Sequence, residues 1–272
     1  MLISVRHITR YRYADPVSYT IQILRLTPLS FMGQRVLDWQ VRAGGASPGL
    51  QFRDGFGNTA HLLTVNGRHE ELVIEAGGTV ETQDCNGVVS GLNNSAPPRV
   101  FLRETAQTKP DGAIRALAES VHGKDTLDQL HALLGAVRDR VEYVAGATDM
   151  HTSAAEALAD GKGVCQDHAH IFIAAARTLA IPARYVTGYL VLEEQGTSEA
   201  HHAWAETWVE GLGWVGFDVA NRVCPTDRYV RLAAGLDAGY AAPIMGSRRG
   251  GETETLDVSV TVQQQQQQTA QQ

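Results

Sequence analysis

The sequence predicts an α+β protein: an all-β, sandwich-like domain first, then a part in which helices are followed by further strands. Three observations predict it. Residues 1–85 fall into short alternating runs of apolar and polar types, separated by turn residues, as strands with one buried face require. From Ile114 the apolar spacing changes to the three-and-four interval of helices. Beyond residue 183 it returns to short strands rich in aromatic and β-branched residues. The segment 86–98, rich in Gly, Asn, Ser and Pro, marks the change. The expected organisation is a β-rich domain with its linker over 1–98, a core over 99–262 and a glutamine-rich disordered tail over 263–272.

In the first part, strands are expected at 5–13, at 19–26 after a break at Asp15-Pro16, and at 36–41. A turn at 54–58 leads to a hairpin, 59–65 against 71–75, in which Asn66-Gly67 suits a type I′ turn. No catalytic constellation is visible there, and His7, Asp38, His61 and His69 are expected to face solvent. One helical stripe follows at Ile114, Leu117, Ala118 and Val121, and another at Leu127, Leu130, Leu133, Leu134, Val137 and Val141. Asp125 or Thr126 caps the second. Ser153 and Glu156 have the spacing of a capping box for a short helix. Strands are then expected at 183–192, 201–209, 214–218 and 256–262, with a polar loop at 193–199.

Composition narrows the function. A length of 272 residues, 43% of them hydrophobic, is enough for two cores. A net charge of −7 with no long Lys/Arg run argues against a nucleic-acid partner. No apolar run reaches the length of a membrane span. The N-terminus reads as a strand rather than a signal core, so cytoplasmic residence is expected. Three cysteines cannot build a disulfide framework, and Cys85 and Cys224 read as bystanders.

Cys165 reads differently. It opens a helix whose apolar stripe runs through Ala169, Phe172, Ile173, Ala176 and Leu179 and which must stop near Ala180, ahead of Pro182. Gly161 and Gly163 allow a tight turn into that helix. A thiol attacks as thiolate, and the unpaired N–H groups and dipole at a helix N-terminus favour the anion. A lone cysteine is more often a small buried hydrophobe, so its partners decide.

A base and an orienting group are required. His202 shares a strand face with Trp204, Glu206 and Trp208, and Asp218 closes the next strand. The assignment is Cys165 as nucleophile, His202 as general base and then acid, and Asp218 as orienting carboxylate. A tight turn at Gly211-Leu212 would set His202 opposite Asn221, so Asp218 needs a wider loop or a bulge, with Asn221 as the backup orienter. His168 and His201 are the competing bases. His170 reads as core or surface, Asp167 as a helix N-terminal charge, and Trp204 and Trp214 as core. A zinc set of Cys165, His168, His170 and Cys224 fails on spacing, since positions 165 and 170 diverge by roughly 140° around a helix. No metal or cofactor is expected.

The stretches Gly-Val-Cys-Gln-Asp-His-Ala at 163–169, Leu-Ala-Ile-Pro-Ala-Arg-Tyr-Val-Thr-Gly-Tyr at 179–189, His-Ala-Trp-Ala-Glu at 202–206 and Gly-Trp-Val-Gly-Phe-Asp at 213–218 together resemble the bacterial transglutaminase-like proteins. Tyr11-Arg12-Tyr13 and Leu24-Arg25-Leu26-Thr27-Pro28 resemble the β-rich domain that precedes the core in that family. The resemblance implies a papain-like α+β core, the cysteine helix packed on an antiparallel sheet, and carries the family's triad onto Cys165, His202 and Asp218. It departs after Asp218, where Val219-Ala220-Asn221 replaces the family's common Pro-Thr. The expected activity is thiol-dependent acyl transfer on an amide bond of a protein or peptide, ending in hydrolysis. Amine transfer, as in a transglutaminase, is the alternative, and a non-catalytic binding module that keeps the fold is the other.

Overall fold

The computed structural model describes residues 1–44, 48–92, 96–192 and 201–265. Its first sheet is built on two long strands, β1 (Leu2–Thr27) and β4 (Thr59–Thr82). They pair antiparallel from Leu2 opposite Glu81 to Thr27 opposite Thr59. β2 (Gln34–Ala43) and β3 (Gln51–Arg53) add to the outer side of β4. The alternation of 1–85 is thus realised, but as fewer and longer strands than expected. Asp15-Pro16 does not end a strand. It falls where the ladder shifts register between Arg12 and Val17, so no ladder bond is asked of the proline nitrogen. Asn66-Gly67 is not a hairpin turn either. Asn66 pairs with Tyr19, and the chain runs on to His69 opposite Val17 through Gly67 at φ +96°. A continuous partner on β1 supplies more ladder bonds than a local two-residue turn would.

The second sheet takes the order β11-β8-β9-β10-β5, all antiparallel. β5 (Val88–Val89) lies inside the segment expected to be linker, and it closes this sheet by pairing with β10. After a 3-10 turn at Pro98–Leu102 come α1 (Gly112–Ser120) and α2 (Thr126–Arg140), capped by the Asp111 and Asp125 side chains. β6 (Glu142–Tyr143) precedes α3 (Ala154–Asp160), whose Ser153–Glu156 capping box forms as expected. β7 (Lys162–Gly163) then delivers the chain to α4 (Cys165–Thr178). β8 (Ala183–Leu190), β9 (His201–Val209), β10 (Gly213–Phe217) and β11 (Tyr229–Gly235) follow. The polar stretch expected at 193–199 lies outside the described residues. α4 is buried along nearly its whole length, its Phe172, Ile173 and Ala176 packing with Ala203, Ala205, Val215 and Phe217 of the sheet.

The last two strands correct the expected core boundary at 262. β12 (Ile244–Gly250) and β13 (Glu254–Gln264) return to the first sheet and pair with β1. Gln263 and Gln264, expected in a disordered tail, are strand residues opposite Ser4 and Ile3. The alternation of 256–262 fits the edge of either sheet. Along β1 this segment finds a partner over a row of eleven residues.

The two sheets share an apolar cluster in which Ile3, Val5, Ile74 and Val80 meet Tyr189, Val191, Val230 and Leu232. Gln34 joins them by hydrogen bonds, its Nε2 donating to the Arg231 carbonyl at 2.9 Å and its Oε1 accepting the Arg231 N–H at 2.7 Å. His7, expected to face solvent, is 3% exposed at this junction and bonds the Tyr189 hydroxyl. Its place on the inward face of β1 follows from the alternation Ile3, Val5, His7. Asp38 is exposed as expected, while His61 and His69 are half-buried and bonded to Thr27 and Thr20.

Candidate active site

Cys165 is the first residue of α4 and remains partly exposed. Gly161, at φ +66°, ends α3 in the left-handed conformation that glycine adopts without strain. Gly163 serves another purpose. A Cβ there would come within 2.7 Å of the Asp167 Cβ and 2.9 Å of its Oδ2. Its absence lets Asp167 fold back over the turn, where Oδ2 accepts the Val164 N–H at 2.7 Å and the Thr148 hydroxyl at 2.6 Å. Asp167 thus holds the loop that presents the cysteine, in keeping with its reading as a helix N-terminal charge.

His202 lies near the start of β9, and Asp218 follows directly on β10. The His202 Nε2 and Asp218 Oδ2 are 2.7 Å apart. The expected bulge is not needed. β9 and β10 pair without a shift from Gly213 opposite Val209 to Phe217 opposite Ala205. One residue further, Asp218 stands beside Trp204, and His202 is its diagonal neighbour on the same side, close enough for side chains to meet. Asn221 adds support rather than replacing the aspartate. Its Nδ2 donates to Asp218 Oδ2 at 2.7 Å and its backbone N–H to Oδ1 at 3.3 Å. The turn that replaces Pro-Thr is closed by Asp218 pairing with Val223 and by Arg222 at φ +59°.

A residue missed in the sequence completes this shell. The Tyr229 hydroxyl on β11 donates to Asp218 Oδ2 at 2.7 Å, and its ring meets Trp204 edge-on at 5.5 Å. No alternation marks the stretch 229–235, which is buried on both faces, and the contact comes from a strand that is not adjacent to β9.

The electrostatics follow from these bonds. Burial of Asp218 opposes its charge, but hydrogen bonds from His202, Asn221 and Tyr229, with the His202 charge, outweigh it and hold the carboxyl below its ordinary range. Burial alone would lower the basicity of His202. Hydrogen bonds and charge from Asp218 and Cys165 overcome that and push its pKa up to about 10. With Nε2 engaged by the aspartate, Nδ1 is the ring nitrogen left free of it, and Cys165 is among the groups that raise the imidazole. Asp218 and His202 are thus joined by a hydrogen bond, and Cys165 is electrostatically coupled to the same imidazole.

The competing histidines are committed elsewhere. His168 is buried, with Nδ1 and Nε2 at 2.8 and 3.0 Å from the Val164 and Val141 carbonyls. His170 packs 5.0 Å from the Tyr185 ring and accepts the Ala238 N–H. His201 faces away from His202 and bonds Thr187 at 2.8 Å. Cys224 lies against Gly87, and Cys85 against Gly33. Trp204 and Trp214 are buried, as expected. Glu206, from the same motif as His202, is fully buried between Arg184 and Arg231, bonded at 2.6 and 2.8 Å.

Comparison with known proteins places the chain in a family. Residues 115–219 match the transglutaminase-like superfamily, and residues 3–81 match the bacterial transglutaminase-like N-terminal region. An uncharacterised protein of Mycobacterium leprae is 30% identical, over 95% of this chain and 97% of its own length. The chain belongs to the transglutaminase-like superfamily. Another such relative, from Mycobacterium tuberculosis, is 27% identical over 95% of this chain and 91% of its own. The crystal structure of a candidate cysteine protease from Cytophaga hutchinsonii shares the fold. It has a TM-score of 0.76 and 24% identity, and the match covers 97% of this chain and 90% of that one. Cys165, His202 and Asp218 all fall within the transglutaminase-like core match. Among the described residues, no helix is long and apolar enough to cross a membrane.

Proposed function

We propose that the protein is a thiol-dependent acyl-transfer enzyme acting on peptide or side-chain amides, and that water is its acceptor. The observation that supports this best is the His202 imidazole, bonded to buried Asp218 at 2.7 Å and held protonated by the charges of Asp218 and of partly exposed Cys165. An imidazole kept protonated beside a sulfur favours the thiolate. The thiolate attacks the amide carbonyl carbon, forming a C–S bond and an oxyanion. As the first residue of α4, Cys165 leaves its N–H outside the helix ladder, and that N–H faces the developing charge. His202 passes its proton to the leaving nitrogen as the C–N bond breaks, giving a thioester. Water reaches the exposed sulfur, loses a proton to His202 and releases the acid. Asp218 holds the ring in one orientation throughout. A reducing compartment suits three unpaired cysteines, and we place the enzyme in the cytoplasm on that ground.

Turnover of a library of peptide amides tests the reaction. Cys165→Ala is expected to abolish turnover, while Cys224→Ala leaves it unchanged. Iodoacetamide is expected to label Cys165 ahead of Cys85 and Cys224, and equal labelling of all three would sink the activated thiol. Mass spectrometry with a primary amine present separates the acceptors, since amine incorporation in place of hydrolysis would make the protein a transglutaminase.

A further inference from the structure

The first sheet ends on one side in β13, an edge strand whose charges are limited to two acids, Glu254 and Asp257. β13 pairs with β1 over eleven residues without a shift, from Ile3 opposite Gln264 to Tyr13 opposite Glu254. Gln265 N–H donates to the Leu2 carbonyl, and the Thr253 carbonyl accepts the Ala14 N–H. Odd-numbered residues therefore turn their backbone groups toward β1. Residues 254, 256, 258, 260, 262 and 264 turn theirs outward. No other described strand pairs with β13. The side chains of those outward-bonding residues lie on the core side of the sheet. Val260 and Val262 pack there, but Leu256 and Val258 remain 54% and 50% exposed.

Edges are normally protected by charge, proline, bulges or shortness. β2 has a bulge between Val36 and Asp38 and exposed Arg35, Asp38 and Arg42. β12 carries Arg248 and Arg249. β13 has no bulge, no proline, no lysine and no arginine.

We propose that β13 is the seam of a homodimer, in which it pairs antiparallel with β13 of a second copy about a two-fold axis at Ser259. The sequence of the strand is complementary to itself in this register. Leu256 stands opposite the partner's Val262 and Val258 opposite the partner's Val260, so the apolar row continues from one copy into the other. Glu254 meets the partner's Gln264 and Asp257 the partner's Thr261, and no acid opposes an acid. Outward-bonding residues face outward-bonding residues, which gives about twelve new backbone hydrogen bonds at two for each such pair. A shift of two residues either way sets Glu254 opposite Val262 or Leu256 opposite Gln264. The two-fold at Ser259 alone pairs all four apolar positions with one another.

Light scattering behind size exclusion, on the full chain at low to high micromolar concentration, tests this. The expected mass is twice the 29.4 kDa of the chain. Val258→Lys places a charge from each copy in the seam, and Val258→Pro removes an outward N–H without touching a bond to β1. Each is expected to halve the mass with an unchanged circular dichroism spectrum, while Arg249→Glu on β12 leaves the dimer intact. A wild-type mass of one chain across the range would overturn the proposal, as would a dimer that survives both Val258 substitutions. Slow hydrogen exchange at 256, 258 and 260 in a monomer would assign the edge to the chain's own residues beyond 265, and would overturn it too.

Discussion

Asp218 is the residue on which the site turns. It is fully buried, yet one of its oxygens accepts from His202, Asn221 and Tyr229. A buried carboxylate persists only when its lone pairs are satisfied, so each donor contributes to holding the imidazole. Tyr229→Phe removes one hydrogen bond to a charged group and is expected to lower kcat by about tenfold, on the scale of 1.5–3 kcal/mol for such bonds. Asp218→Asn is expected to lower it much further, because the imidazole loses its orienting charge. The raised pKa of His202 has a consequence for stability. In the unfolded chain this imidazole titrates near 6.5, and in the fold it keeps its proton up to about 10. Folding therefore favours the protonated form, and that stabilisation is complete below about pH 6.5 and lost as pH rises toward 10. Denaturation midpoints measured from pH 6 to 10 should fall, and the fall should flatten in His202→Gln.

At the scale of elements, the junction of β7 and α4 sets the position of the sulfur. Three backbone and side-chain groups converge on it: the missing Cβ of Gly163, the Val164 N–H and the Thr148 hydroxyl. Gly163→Ala would drive a methyl into the Asp167 side chain. The expected cost is about 1–3 kcal/mol of stability, the range for overpacking a filled site. A drop in turnover larger than that stability loss explains is also expected, because Asp167 moves and α4 starts in a different place. Thermal melting and kcat on the same variant check both. The sheet beneath is fastened in another way. Glu206 on β9 bridges Arg184 on β8 and Arg231 on β11, and the Arg184 guanidinium lies 3.9 Å over the Trp214 ring. The His-Ala-Trp-Ala-Glu motif thus carries His202 at one end and, at the other, the anion that neutralises two buried cations.

At the scale of the molecule, the first sheet and the core meet through buried polar groups as well as apolar ones. His7 on β1 bonds Tyr189 on β8, and His201 lies 6.2 Å from the His7 ring. Burial, with the charge of His201, lowers His7 to about 3, and burial, with the charge of His202, lowers His201 to about 4. Both are neutral in the fold and titrate near 6.5 when unfolded. The unfolded chain then binds more protons on acidification, and stability falls as pH drops from 6.5 toward 4. Melting temperatures between pH 7 and 4 should show this, and His7→Gln should lessen the slope. A wild-type curve that is flat over that range would contradict the buried neutral pair.

Local rules settled much of this protein in advance. The stripe Ala169, Phe172, Ile173 and Ala176, ahead of Pro182, places Cys165 at a helix start, and Ser153 with Glu156 fixes the short helix before it. The alternation around His202 puts it on the face of Trp204 and Glu206. Each depends on residues within a turn or two of one another, and such patterns can be read along a chain. Pairing between distant strands cannot. Whether Asn66-Gly67 turns or continues, which sheet takes 254–264, and how Asp218 reaches His202 across a diagonal were decided by partners well beyond a turn or two along the chain. Tyr229 belongs to the same class, since its contact with Asp218 exists only once β11, β8, β9 and β10 lie side by side. The physical reason is that a strand satisfies its backbone on another strand, and the alternation of side chains says which face is buried but not against which neighbour.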